Sequence, residues 1–146
     1  MDDAQPEASG LRVVLPIRMD DLDTNGHVRG PAYLAYADRA RWMALDAAGV
    51  ALDALTARRI GPVNLQTTCF HRELLAPGEV EIRTVFEFDT GKTDRVLQRL
   101  YRSDQTLAAQ VSSVSGLLDL AERRLLVCPS RYVREIAIRP DVLGLA

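Results

Sequence analysis

Apolar and polar residues alternate in several stretches of the chain, which is the pattern of β-strands that bury one face. In the first stretch Val13, Leu15 and Ile17 are the apolar positions, and Pro16 restricts the strand to a sheet edge or a bulge. The alternation is clearest in the third stretch, where valine, isoleucine and phenylalanine are interleaved with mostly charged residues. The predicted strands cover residues 11–18, 63–72, 79–88, 95–102 and 108–120.

A spacing of three and four residues replaces this alternation between the first and second strands and predicts a long helix. Pro31 lies where the first turn of a helix accepts proline, and Gly49 lies where a left-handed residue commonly ends one. Shorter helical segments are predicted around residues 52–59 and 132–136. The inner face of the long helix is predicted to consist of Tyr33, Tyr36, Ala37, Ala40, Met43, Ala44 and Ala47.

The order of a strand, a long helix and about four more strands predicts an α+β domain. The helix is expected to cover one face of an antiparallel sheet, because short turns favour pairing between strands that follow one another. Residues 1–10 offer almost nothing to bury and are predicted to form a disordered leader. The folded domain is expected over residues 11–137, followed by a C-terminal tail, residues 138–146, that frays.

The composition is that of an ordinary soluble domain, with 146 residues of which 47% are hydrophobic and 26% charged. The 18 Lys and Arg against 20 Asp and Glu give a net charge of -2, which supplies no broad positive field for nucleic acid. No apolar run approaches the roughly 18 residues of a membrane-spanning helix, and the acidic amino terminus lacks a leader pattern. We therefore expect a cytoplasmic protein that binds neither nucleic acid nor membrane. Cys69 and Cys128 lack a CxxC spacing and are interpreted as two buried thiols.

The loop directly before the long helix holds the densest group of candidate functional side chains. Asp21 and Asp23 are carboxylates that can act as nucleophile or general base. Gly30 lies at the start of the helix, where backbone N–H groups lack helical acceptors and the helix dipole favours an oxyanion. The simpler interpretation makes Asp23 and Asn25 turn and capping residues, and His27 a surface histidine.

The same side chains suggest two metal-binding patterns, and both are incomplete. A calcium loop needs a glutamate at its twelfth position, which is missing here, and the loop runs into a helix too soon. His27 and His71 do not show the HxH or HxxxH spacing that supports zinc binding. We therefore expect no metal site and no cofactor.

One motif in the chain carries a family resemblance. It consists of Asp21-Leu22-Asp23-Thr24-Asn25-Gly26-His27-Val28, followed by Tyr33-Leu34 and Ala40-Arg41. This motif is similar to the D-x-D-x-x-G-H-V signature of hotdog-fold thioesterases of the 4-hydroxybenzoyl-CoA thioesterase family, which also has a following tyrosine and a helical arginine. The resemblance covers residues 11–136 and includes Leu74-Leu75-Ala76-Pro77-Gly78-Glu79, Thr90-Gly91-Lys92-Thr93, Arg123, Arg124 and Pro129.

The resemblance implies a hotdog fold, in which an antiparallel sheet wraps around the long central helix. It also implies a homodimer that joins the sheets of two protomers, with the active site at the interface, and it is compatible with a homotetramer. The expected activity is hydrolysis of an acyl-CoA or acyl-carrier-protein thioester to a free acid and a thiol. CoA is then part of the substrate and not a cofactor.

The resemblance also suggests roles for individual residues. Asp23 matches the catalytic carboxylate, which attacks the thioester or activates water, and the Gly30 N–H matches the donor that polarises the thioester carbonyl. His27 is a third catalytic candidate, as a residue that orients the substrate or tunes Asp23, although it is equally explained as a cap of the loop.

Three further residues are candidates for binding the substrate. Arg29 is a candidate partner for a CoA phosphate, although a lone arginine is more often simply solvated. It also marks a departure from the family, because Arg29-Gly30 stand where relatives commonly have asparagines. Asn25 in the loop and Tyr33 on the helix complete the set, although a tyrosine on the inner face of the helix is more often a core residue than a pocket residue.

Two other functions remain open from the sequence. A hotdog fold also serves acyl-thioester dehydratases, which typically use a histidine with a carboxylate of the other subunit, whereas this motif has an aspartate at the key position. The third alternative is a non-catalytic module that binds acyl-CoA.

Overall fold

The computed structural model describes residues 10–145 of the chain. Apart from Gly10, the predicted leader lies outside the described residues. The strands are β1 (Leu11–Pro16), β2 (Ile60–Phe70), β3 (Glu79–Glu87), β4 (Asp94–Tyr101), β5 (Leu107–Asp119) and β6 (Arg124–Leu125). The helices are α1 (Gly30–Ala47), α2 (Leu52–Ala57) and α3 (Pro129–Ile136), with single 3-10 turns at Met19–Asp21 and Pro140–Leu143.

The strands form one antiparallel sheet in the order β1-β3-β4-β5-β2, and the short β6 pairs with β5. Pairing between successive strands holds for β3, β4 and β5, as expected from their short turns. It is wrong for β2, which pairs along its whole length with β5, from Ile60 opposite Asp119 to Phe70 opposite Ala109. After β2, residues 71–78 lead into β3, which lies between β1 and β4. The two edges of the sheet are therefore β1 and β2. Pro16 therefore lies on an edge strand, where proline is tolerated.

Helix α1 packs its alanine-rich face on the inner face of the sheet. Ala37, Ala40 and Ala44 are completely buried, and their small side chains let the helix backbone approach the strands closely. Gln98 of β4 fixes this contact, because its Nε2 donates a hydrogen bond to the carbonyl oxygen of Ala37 at 2.6 Å. The arrangement is an α+β hotdog fold with a central helix on an antiparallel sheet, as the resemblance implied.

The predicted inner face of α1 is wrong at its C-terminal end. Met43 is 41% exposed and Ala47 is also exposed, whereas Arg41 and Ala48 are buried. The spacing of three and four residues could not show this, because the wide apolar surface of the helix contacts α3 and the C-terminal segment as well as the sheet.

The C-terminal segment does not fray as expected. Leu143 and Leu145 are buried in a second apolar cluster with Ala44, Val50 and Leu55. The backbone N–H groups of residues 138 and 139 both donate to the carbonyl oxygen of residue 48 at 2.9 Å, which ties the segment to the end of α1.

The two cysteines are not buried thiols. Cys69 is exposed on the outer face of β2, and Cys128 is only partly buried.

Within residues 10–145, no helix is both long and apolar enough to cross a bilayer.

Candidate active site

The loop before α1 folds into a closed turn. The Asp23 N–H donates to the His27 carbonyl oxygen at 2.7 Å, and the Gly26 N–H donates to the Asp23 carbonyl oxygen at 3.1 Å. Gly26 has a φ of 75°, which is a left-handed conformation that glycine adopts without a steric penalty. The turn therefore brings residues 23 and 27 side by side.

The turn also orients the Asp23 carboxylate. Its Oδ1 accepts hydrogen bonds from the backbone N–H groups of Asn25 at 2.8 Å and His27 at 3.1 Å. Within the described part of the chain, Oδ2 has no hydrogen-bond partner. One carboxylate oxygen is thus held by the backbone, and the other is available to a water or a substrate.

Asp21 has a different environment, although it lies only two residues away. Its Oδ2 accepts a hydrogen bond from the Tyr36 hydroxyl at 2.8 Å, and its carbonyl oxygen accepts one from the Arg29 N–H at 2.8 Å. Burial and the bond to this carboxylate raise the pKa of Tyr36 to about 12, so the phenol remains a hydrogen-bond donor. Asp21 therefore ties the loop to α1, and Asp23 is left with a free oxygen.

Gly30 presents an unpaired backbone donor at the start of α1. Pro31 has no N–H, and the Ala32 N–H donates to the Arg29 carbonyl oxygen at 3.0 Å. Among residues 10–145, the Gly30 N–H has no hydrogen-bond acceptor. The space beside its Cα is open, since a side chain there would meet only Phe70 at 4.0 Å. Such a donor at the positive end of a helix dipole is suited to an oxyanion.

These groups line one open cleft, which we call the Asp23 cleft and which has a volume of about 360 Å³. All three predicted catalytic residues, Asp23, His27 and Gly30, contribute to its wall, and so does Tyr33. Its remaining lining residues are Val28, Phe70, His71, Arg72 and Glu73.

Tyr33 belongs to both the cleft and the core. Its hydroxyl accepts a hydrogen bond from the Leu74 N–H at 3.0 Å, and its ring meets that of Phe70 edge to face with centroids 5.0 Å apart. Burial raises the pKa of Tyr33, so its hydroxyl stays protonated. The tyrosine therefore joins α1, β2 and the segment after β2 into one wall.

The two other predicted substrate-binding residues do not line the cleft. Asn25 contributes its backbone N–H to Asp23, and its side chain is exposed. The Arg29 side chain is 52% exposed, with its Nη2 4.0 Å from Asp21 Oδ1. Contact of either residue with a substrate remains a prediction.

The opposite wall of the cleft is formed by Phe70 to Glu73. From the sequence, the role of His71 was open between the core, a pocket wall and an interface, and the other three residues were not identified. The N–H groups of His71 and Arg72 both donate to the Ala108 carbonyl oxygen, at 2.8 and 2.9 Å, which turns the chain at the end of β2. A bridge between His27 and Leu75 then brings the segment against the loop before α1. The sequence analysis placed His71 and Arg72 at the end of the second strand, but it could not show which segment lies beside them in space.

Within residues 10–145, no group of three His, Cys, Asp or Glu side chains is arranged to hold a metal ion.

A comparison with curated proteins finds no significant match to this chain. Solved structures, in contrast, show a shared fold. A hypothetical protein from Staphylococcus aureus, solved in complex with CoA, has a TM-score of 0.77 at 16% identity, covering 87% of this chain and 81% of that one.

Two further structures resemble the chain as closely. The 1,4-dihydroxy-2-naphthoyl-CoA thioesterase from Synechocystis has a TM-score of 0.78 at 12% identity, covering 87% of this chain and 95% of that one. YbaW, a probable thioesterase from Escherichia coli, has a TM-score of 0.74 at 21% identity, covering 85% and 93%. At such identities these similarities establish the fold. The family follows from the sequence itself: residues 17–143 match the thioesterase-like superfamily, so the chain belongs to that superfamily.

Proposed function

We propose that this protein hydrolyses acyl-CoA thioesters to a free acid and CoA at the Asp23 cleft. The observation that carries the proposal is the pairing of two groups in one cleft. One is the Asp23 carboxylate with an unpaired oxygen, and the other is the unpaired N–H of Gly30 at the start of α1. Membership of the thioesterase-like superfamily supports the reaction class.

In the proposed reaction, the thioester carbonyl oxygen accepts a hydrogen bond from the Gly30 N–H. Asp23 Oδ2 takes a proton from a water, whose oxygen attacks the carbonyl carbon. The negative charge that develops on the carbonyl oxygen is stabilised by this N–H and by the positive end of the α1 dipole. When the tetrahedral intermediate collapses, the C–S bond breaks and the acid is released. The CoA thiolate takes up the proton that Asp23 had accepted, which restores the Asp23 carboxylate.

The alternative route uses Asp23 as a nucleophile. Its free oxygen attacks the carbonyl carbon directly, CoA leaves as the thiolate, and water then hydrolyses the resulting anhydride. Both routes need the same free oxygen and the same N–H donor, so the geometry supports the pair of residues in either case.

The other predicted site residues take supporting roles in this proposal. The His27 N–H holds Asp23, and its imidazole lines the cleft, where it orients the substrate. Tyr33 forms a wall of the cleft, and Asn25 holds Asp23 through its N–H. Arg29 is half exposed beside Asp21, and we assign it to a CoA phosphate. The CoA complex of the Staphylococcus aureus protein and the naphthoyl-CoA activity of the Synechocystis enzyme support a CoA ester as the substrate. An acyl-carrier-protein thioester has the same reacting group.

The test is thiol release from short, long and aromatic acyl-CoAs by the parent and by Asp23→Asn. Because a positioned base contributes about 10²- to 10⁴-fold in rate, we expect kcat to fall by that factor while binding of the CoA ester persists. Asp20→Asn is the matched control, because this exposed carboxylate of the same loop pairs with Arg18 and does not line the cleft.

Three results would contradict the proposal. One is an Asp23→Asn variant as fast as the parent. A second is an enoyl product without thiol release from a 3-hydroxyacyl-CoA, which would indicate a dehydratase. The third is tight binding of CoA esters and carrier-protein thioesters without any turnover, which would indicate a binding module.

A further inference from the structure

A second cavity lies between the C-terminal half of α1 and the sheet, and we call it the Arg41 cavity. Its volume is about 300 Å³, and it shares no lining residue with the Asp23 cleft. About 16 Å of helix axis separates Arg41 from Gly30, at roughly 1.5 Å per residue. Most of its wall is apolar, including Trp42, Leu55, Phe86, Phe88, Val96 and Val133.

Arg41 is the cationic residue in this wall, and part of its guanidinium is unsatisfied. The residue is only 8% exposed, and its Nη2 donates to the carboxylate of Asp38 one helical turn earlier. Nη1 is completely buried and has no hydrogen-bond partner among the described residues. Burying a charged donor without an acceptor costs free energy, so an acceptor bound in the cavity would be stabilising.

The other polar groups of the wall leave this donor available. Asp38 is half exposed and already engages the other side of the guanidinium. Asp94 is buried, its Oδ1 accepts the Asp89 N–H at 2.8 Å, and burial raises its pKa, which favours the neutral form. Asn64 and Ser115 bond to each other at 2.7 Å.

We propose that the Arg41 cavity binds a small carboxylic acid with an aromatic body. The carboxylate accepts a hydrogen bond from the guanidinium of Arg41, which is only partly satisfied, and the ring packs against Trp42, Phe86 and Phe88. An apolar protein cavity of about 150 Å³ holds benzene, so the volume of this cavity suits one ring with a short acidic arm. The site lies apart from the Asp23 cleft and goes beyond the proposed hydrolysis.

The chain contains a single tryptophan, Trp42, which lies in the wall of the cavity and reports on its occupancy. The experiment titrates the protein with phenylacetate and with its neutral analogue phenylacetamide while tryptophan fluorescence is recorded. We expect a saturable change with phenylacetate and at least about tenfold weaker binding of the amide, because a charge-assisted hydrogen bond is lost.

Variants assign the binding to the cavity. Arg41→Met should weaken phenylacetate binding at least about tenfold and abolish the preference for the acid over the amide. Arg39→Met, on the exposed face of the same helix, should bind like the parent. Val133→Phe fills the cavity from α3 and should weaken both ligands, and Asp23→Asn should bind like the parent, which separates this site from the proposed hydrolysis.

The acid and amide titrations of the unmodified protein decide the question even where a variant does not fold, as judged by circular dichroism. Equal binding of acid and amide, or no saturable change at millimolar concentrations, would overturn the proposal. Parent-like binding by a folded Arg41→Met variant would also overturn it, because the buried guanidinium would then have only a structural role.

Discussion

Tyr36 holds the loop before α1 through a single side-chain hydrogen bond to Asp21. Tyr36→Phe removes the donor and leaves a partly buried carboxylate that has an ion pair with Arg29 at 4.0 Å. We expect the free energy of unfolding to fall by about 1.5–3 kcal/mol, the usual range for a hydrogen bond to a charged group. Urea denaturation measures this change. Tyr132→Phe is the control, because the half-buried Tyr132 makes no side-chain hydrogen bond within the described residues. Equal stability of Tyr36→Phe and the parent would refute the role of Asp21.

Asp94 makes the stability of the protein depend on pH. Burial raises the pKa of Asp94 above its usual value of 3.8, so folding favours its protonated form. Its contribution to stability is complete below the unfolded pKa and is lost as the pH rises through the raised, folded pKa. Asp94→Asn retains an acceptor for the Asp89 N–H and carries no charge.

We therefore expect Asp94→Asn to have a higher Tm than the parent at pH 7, with the difference shrinking as the pH is lowered towards 4. Thermal unfolding at a series of pH values measures this. Asp46→Asn, an exposed position on α1, should show no such trend. A lower Tm for Asp94→Asn at pH 7 would show that the charged carboxylate has a stabilising partner.

The sequence could name most of the candidate site at the residue scale, because the residues of one loop are neighbours in the chain. Asp23, His27 and Gly30 come together through local turns and a helix start, which turn formers and Pro31 indicate. The different partners of Asp21 and Asp23 depend on contacts with α1, which the sequence could not show. The wall from Phe70 to Glu73 comes from a segment far along the chain, so no local pattern could connect it to the loop.

At the scale of elements, the alanines of α1 set the distance between helix and sheet. Ala40 is completely buried against the sheet side of the core, so Ala40→Leu adds volume where there is no space. Overpacking of this kind costs about 1–3 kcal/mol, and we expect the urea midpoint of the variant to fall accordingly. Ala35→Leu makes the same change on the exposed face of the same helix and should be close to neutral. Similar losses in both variants would mean that helix propensity, and not packing, explains the effect.

The sequence could also predict most elements but not all of their neighbours. The period of two located β2 to β5 within a few residues, because each of these strands has faces of different polarity. The pairing of β2 with β5 could not be read from the chain, since a hairpin between β2 and β3 satisfies the same pattern. The burial of Leu143 and Leu145 was missed for a different reason, because two isolated leucines form no periodic pattern.

For the whole molecule, the unpaired edge of β2 is the feature that bears on assembly. Within the described part of the chain, β2 pairs only with β5, so one side of an 11-residue strand has free backbone donors and acceptors. A long open edge of this kind is a template for pairing with another strand. The family resemblance implies that two protomers join their sheets, and we propose that they form a homodimer through this edge.

Proline substitution at two neighbouring positions of β2 tests this assembly. Successive backbone N–H groups of β2 point alternately towards β5 and towards the open edge. Of the two variants Thr67→Pro and Thr68→Pro, one therefore removes an N–H at the open edge and the other removes an N–H that faces β5. We expect the variant that loses the open-edge N–H to keep the circular dichroism of the parent. In size exclusion with light scattering it should have the mass of one chain, where the parent has the mass of two. The other proline should lower the Tm, because it interrupts the ladder with β5.

The same variant should also be impaired in thiol release. Phe70 at the end of β2 lines the Asp23 cleft, so in an antiparallel pair of β2 edges the beginning of the partner's strand lies beside the cleft. We expect kcat/KM for acyl-CoA to fall with dimer content and to recover at protein concentrations that restore the dimer. A folded monomer with the full activity of the parent would show that the cleft is complete in one chain, and a parent of one-chain mass would exclude the dimer itself.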